Sequence, residues 1–219
     1  MDKVKSLRHR AEMPAYAVGI IANIVAIAVL LGISISGIEV DESITEYQSM
    51  LPLLLVLPLT ILVVLLWNYA KIRANAIRIT EKQFPKVYAI YRDLALEMGF
   101  DKNNIPRLYL IQDNGTLNAY ATKCNLNRSY AVVYSDIFEI VKKHGDYTTL
   151  KFILAHELGH IALGHVNIRR QVLVFFANLF PPYSQTFTRS QELSADRVAA
   201  HYCPLFEQCS GRNCIFSGK

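Results

Sequence analysis

Two long uncharged stretches constrain this chain before anything else does. Residues 13–38 and 47–70 contain no Asp, Glu, Lys or Arg and are dominated by Ile, Val, Leu and Ala. About 20 apolar residues cross the hydrocarbon core of a bilayer, so each stretch predicts a transmembrane helix. Pro52 and Pro58 are tolerable in such a helix, and Trp67 and Tyr69 sit where an interfacial aromatic belt belongs. The connecting loop, 39–46, carries Glu39, Asp41, Glu42 and Glu46 but no Lys or Arg. The outer flanks are basic, with Lys3, Lys5, Arg8 and Arg10 on one side and Lys71, Arg73 and Arg78 on the other. The positive-inside rule then places both flanks in the cytoplasm. A signal peptide is the competing reading of the first stretch, but its apolar region is too long and lacks a clear small-residue cleavage site.

The expected organisation is a cytoplasmic tail (1–12), a two-helix transmembrane hairpin (13–70), one domain (71–202) and an irregular tail (203–219). The chain is 52% hydrophobic and 19% charged, with mean hydropathy +0.22, too apolar for an ordinary soluble domain. Membrane flanks account for the net charge of +5, and no Arg/Lys stripe with interleaved aromatics points to nucleic acid. Of Cys124, Cys203, Cys209 and Cys214, the last three fit no common structural zinc spacing. In a cytoplasmic domain all four stay reduced.

Within 71–202, Val87, Ile90, Tyr91, Leu94 and Met98 share one side of a helix predicted over 80–99, which Gly99 stops. Strands are predicted at 107–111, 117–122 and 130–134, separated by polar turns. Ser135 or Asp136 caps a further helix reaching about Lys143. Residues 172–180 are too short to span as a straight helix; they form a core helix or, preferably, one at the membrane surface.

The chemistry is concentrated at His156-Glu157-Leu158-Gly159-His160. Histidines at i and i+4 lie roughly 40° apart around a helix, so both rings reach one point. Two neutral imidazoles supply half of a tetrahedral zinc shell. Glu157 is placed to take a proton from a water that the metal activates, which is metal-assisted hydrolysis. Gly159 costs about 1 kcal/mol in a helix relative to Ala, which makes sense if another element packs closely there. Further on, Glu192 and Asp196 share a helix face at i and i+4. Glu192 is positioned as the third ligand, and Asp196 as acceptor for the free ring N–H of a ligand histidine. Without the histidines, the same pair reads as a solvated acidic face. His165 and His201 fall off the metal face and read as structural or surface residues. Arg189 reads equally as a substrate contact or a carboxylate partner.

His156–His160 followed by Glu192 and Ala195-Asp196 resembles the HtpX-like membrane zinc metallopeptidases, gluzincins related to the CAAX prenyl proteases. Leu117-Asn118-Ala119-Tyr120-Ala121 resembles that family's Asn-Ala-aromatic-Ala strand beside the cleft. The resemblance covers roughly residues 80–202. It implies an α+β fold, a mainly helical zincin-type metallopeptidase domain with a small three-stranded sheet, preceded by the two transmembrane helices. It also implies one Zn2+ per chain held by His156, His160 and Glu192, with Glu157 as base and Asp196 supporting a ligand. Asn118, Ala119 and Tyr120 would pair with an extended peptide substrate by strand addition. Membrane or misfolded proteins are the implied substrates, cut at the cytoplasmic face in quality control. The family's longer members have two further apolar segments after the first metal helix, where this chain has only 172–180.

Two other readings compete. An intramembrane protease would bury the metal motif in the bilayer, but Lys151 and Arg169-Arg170 flank it too closely. A non-catalytic membrane adaptor retaining a zinc site would suit the short C-terminus but would have no need of Glu157.

Overall fold

The structure is a computed structural model. It describes residues 1–35, 74–112, 119–124, 128–135 and 147–204, with single positions between 56 and 72 and at 137, 141 and 145. The acidic loop 39–46, most of the expected second membrane stretch, Asn118, Asp136, Lys143 and the tail from residue 205 lie outside these.

A short helix α1 (Asp2–Ser6) precedes the long apolar helix α2 (Glu12–Ile35). At 1.5 Å per residue α2 runs about 36 Å, more than a hydrocarbon core of about 30 Å. Its segment Glu12–Gly32 is the one helix among the described residues long and apolar enough to cross a membrane. The basic stretch expected as a tail contributes to the folded domain, since Val4 and Glu12 are both fully buried.

The sheet has four strands in the order β1-β2-β4-β3: β1 (Ile77–Arg78), β2 (Arg107–Ile111), β3 (Ala119–Cys124) and β4 (Arg128–Tyr134). The three expected strands are present, the first with the expected bounds. The two-residue β1 is an addition, pairing antiparallel with β2. The pairing of β2 with β4 is parallel, and β3 runs antiparallel to β4 at the sheet's edge. Side chains alternate along β4. Ala131 and Val133 enter the main core, while Tyr130 and Val132 turn to the other face, where Tyr109 meets Tyr130 edge-on.

Helix α3 (Pro85–Glu97) opens with proline at its first position, where no N–H is needed. It leads into Gly99 at φ +86, the left-handed turn that glycine permits. The central helix α4 (Tyr147–Leu163) buries Leu150, Leu154 and Leu158 completely. It packs between α3, the sheet and the long helix α7 (Pro181–Tyr202). The prolines at 181 and 182 open α7 rather than merely closing the run before it.

The run 172–180 is divided between two short helices, α5 (Ile168–Leu173) and α6 (Phe175–Asn178). Val174 and Ala177 turn inward; Val172, Leu173, Leu179 and Phe180 are exposed. Against α6 and α7 lies a stripe of α2 one residue per turn. The Ala15 carbonyl accepts from the Tyr183 hydroxyl (3.1 Å), and Asn23 Oδ1 accepts the backbone N–H of Phe176 (2.9 Å). Between them a Cβ at Gly19 would run into the Tyr183 hydroxyl, so only glycine allows this approach.

Candidate metal centre

Helix α4 carries His156 and His160 one turn apart, with their Nε2 atoms 3.0 Å from each other. Helix α7 brings Glu192 across, its Oε2 lying 3.2 Å from His156 Nε2 and 3.5 Å from His160 Nε2. Gly159 makes this closeness possible. A Cβ there would stand 3.3 Å from Val198 Cβ and Cγ1 and 3.5 Å from the Ala195 Cα. The expectation that another element packs against Gly159 is therefore met, and that element is the helix carrying the carboxylate.

The three converging atoms form a triangle with edges of 3.0, 3.2 and 3.5 Å. Zinc–nitrogen bonds of 2.0–2.1 Å at tetrahedral angles place neighbouring ligand atoms about 3.3 Å apart. The donor set and its spacing fit an HExxH-plus-Glu zinc site. Glu157 stands outside the triangle and is buried, at 5% exposure.

The charges are tuned around this triangle. Hydrogen bonds from His156 and His160 hold the Glu192 carboxyl well below its ordinary range, outweighing partial burial. Burial pulls His156 down, but hydrogen bonds to Asp196 and Glu192 and the charge of Glu157 outweigh it, raising the imidazole to about 9. Asp196 Oδ1 lies 2.9 Å from His156 Nδ1, the nitrogen facing away from the triangle. A carboxylate in this position accepts the ring N–H and fixes tautomer and ring orientation.

His165 lies off the metal triangle, as its spacing predicts, and of the two readings it is structural rather than superficial: only 6% exposed, its Nδ1 lies 2.8 Å from His160 Nδ1. Helix α4 ends at Leu163, and Gly164 at φ +77 swings the chain back beneath His160. Its other nitrogen, Nε2, lies 3.0 Å from Glu12 Oε1 at the head of α2. Burial moves His165 down, toward the neutral ring. His201 is exposed and stacks edge-on with Tyr202, and Arg189 is also exposed. Ala119 and Tyr120 lie in edge strand β3, which neighbours α4.

Histidines from one helical turn, a glutamate between them and a carboxylate from a neighbouring helix define a metallopeptidase of the HExxH-plus-Glu class. No curated protein and no solved structure matches the chain. Residues 81–179 match the model of peptidase family M48. The match takes in both histidines and Glu157 and stops short of Glu192, which the packing of α7 on α4 brings to the site.

Proposed function

We propose that the chain is a membrane-anchored zinc endopeptidase of the HtpX-like kind. His156 Nε2, His160 Nε2 and Glu192 Oε2 hold one Zn2+, and Glu157 acts as general base. The convergence of those three atoms from two helices carries the reading. Bound zinc supplies a Lewis acid that makes water more acidic and polarises the scissile carbonyl. Glu157 takes the proton of the attacking water and returns it to the leaving amine. Asp196 holds His156 in the tautomer that leaves Nε2 free for the metal. Asn118, Ala119 and Tyr120 bind an extended polypeptide along the edge of the sheet. The edge position of β3 and its contact with α4 support this assignment.

The anchor reading is supported by the apolar face of α2. Val18, Ile21, Ile24 and Val25 are all more than half exposed, as are Leu179 and Phe180 beside it. Residues 47–70 form the second span, and the basic flanks put the peptidase domain on the cytoplasmic side, where membrane or misfolded proteins are its substrates.

The deciding experiment uses full-length protein in detergent. Zinc content and cleavage of an unfolded protein are measured for wild type and Glu157→Gln. Wild type is expected to hold one zinc and cleave, while E157Q keeps zinc and loses about 10²–10⁴-fold in rate. Zinc binding without cleavage by wild type would turn the reading toward an adaptor with a retained metal site. Absence of zinc from both proteins would remove the metal-centre reading.

A further inference from the structure

A ligand imidazole that gives Nε2 to a metal must carry its proton on Nδ1, and that N–H needs an acceptor. His156 gives its Nδ1–H to a carboxylate, Asp196. His160 faces a second imidazole instead, with His165 Nδ1 2.8 Å from its own Nδ1. Two N–H groups cannot face each other across that distance. His165 Nδ1 must therefore be the bare acceptor, and its proton sits on Nε2, directed at Glu12 Oε1, 3.0 Å away. One assignment of protons satisfies all three contacts.

Glu12 is itself held firmly. Arg170 donates to Oε1 at 2.6 Å, and Arg8 lies 3.4 Å from the same oxygen. The hydroxyl of Ser194, two residues after Glu192 on α7, donates to Oε2. Both arginines also donate to the carbonyl of Leu163, the last residue of α4 (2.8 and 3.3 Å). Fully buried at the start of an apolar helix, this carboxylate is tied to both helices that build the metal triangle.

We propose that His165 and Glu12 are positioning residues of the metal centre: His165 accepts the Nδ1–H of His160, and Glu12, from the head of α2, accepts the Nε2–H of His165. The two ligand histidines are thus oriented by carboxylates of different origin. One is local, on α7; the other acts through an intervening imidazole from the apolar helix. The inference rests on the zinc reading above and adds to it a part of the site that belongs to the anchor.

The test compares full-length wild type with His165→Leu and His165→Gln in detergent. It reads zinc affinity by chelator competition and the visible absorption of the Co2+-substituted protein. Loss of the imidazole in H165L is expected to weaken zinc about 10–100-fold and to change the cobalt spectrum, because His160 loses its orienting partner. Gln offers an oxygen to His160 and an NH2 to Glu12, so H165Q is expected to stay within about threefold of wild type. A purely structural role would not restore the cobalt spectrum in this way. Wild-type affinity and spectrum in H165L would overturn the proposal, as would H165Q behaving no better than H165L. If H165L does not fold, Glu12→Gln takes its place: weaker zinc and a shifted cobalt spectrum support the proposal, and unchanged values overturn it. A wild type that binds neither zinc nor cobalt would instead sink the metal-centre reading on which it rests.

Discussion

The Nε2 of His165 lies 3.0 Å from the carboxylate of Glu12, across 153 residues of chain. Neither residue is exposed, and each completes the other's hydrogen bonding. Through this pair, the membrane-type helix and the metal-binding helix share one buried network with Arg8, Arg170 and Ser194.

Removing the carboxylate should therefore be expensive. Glu12→Ala leaves Arg170, itself only 8% exposed, without its buried counter-charge. Breaking a buried pair from one side costs about 3–5 kcal/mol. Denaturant unfolding in detergent is expected to show a loss of that size, whereas the same change at the exposed Glu81 should cost no more than about 0.5 kcal/mol.

Asp196 makes the opposite kind of contribution. It is half-exposed, so Asp196→Ala should lower the metal-free melting temperature far less than Glu12→Ala does, losing only the solvent-screened contact with His156. Zinc affinity should nonetheless fall about 10–100-fold, because His156 loses the acceptor for its Nδ1–H. Asp196→Asn keeps an oxygen at that place and should fall between the two. Chelator competition at fixed pH distinguishes the three proteins.

The raised pKa of His156 gives zinc binding a signed pH dependence. In the metal-free protein this ring carries a proton below about 9, and the metal must displace it. Zinc affinity should therefore climb as pH rises from 7 toward 9, by up to about tenfold per unit, and then level off. For the metal-free fold the sign reverses. A folded pKa raised from 6.5 contributes stability that is complete below 6.5 and lost as pH rises through about 9. Proton release on zinc addition at pH 7.5 checks the first statement, and metal-free melting against pH the second.

Gly159 sits where helix propensity and packing disagree. Alanine gains about 1 kcal/mol as a helix former. Its Cβ would press on Val198, which is fully buried and has nowhere to retreat, at 3.3 Å. Overpacking of this kind costs about 2 kcal/mol. Gly159→Ala is expected to lose about 1 kcal/mol net and Gly159→Val more, with zinc affinity falling in the same order as α7 is pushed away. A stabilised G159A would show that the two helices can separate without cost.

The parts of the site that sequence made visible are those written in local spacing. Two histidines at i and i+4 on one helix, and Glu192 with Asp196 at i and i+4 on another, meet as their periodicity suggests. Strand β2 is equally plain, an apolar run between Pro106 and the turn signal Asp113-Asn114-Gly115 in the sequence. What could not be read depends on contacts between distant segments. Glu12, Arg8 and Arg170 look like ordinary charges flanking apolar runs, and only the tertiary fold turns them inward. The contact of His165 with His160 was hidden for a different reason, because the left-handed Gly164 ends the helix just before His165 and redirects its side chain. Strand β1 has two residues, too few for alternation to register.

The stripe Ala15, Gly19 and Asn23 has one more consequence. A generic apolar segment of equal length would be just as able to cross a bilayer. It could not accept the Tyr183 hydroxyl, admit its ring or receive the N–H of Phe176 at the required turns. The N-terminal helix is thus not an interchangeable part. A chimaera with a borrowed apolar helix would lose the seat on which the metal-binding half rests.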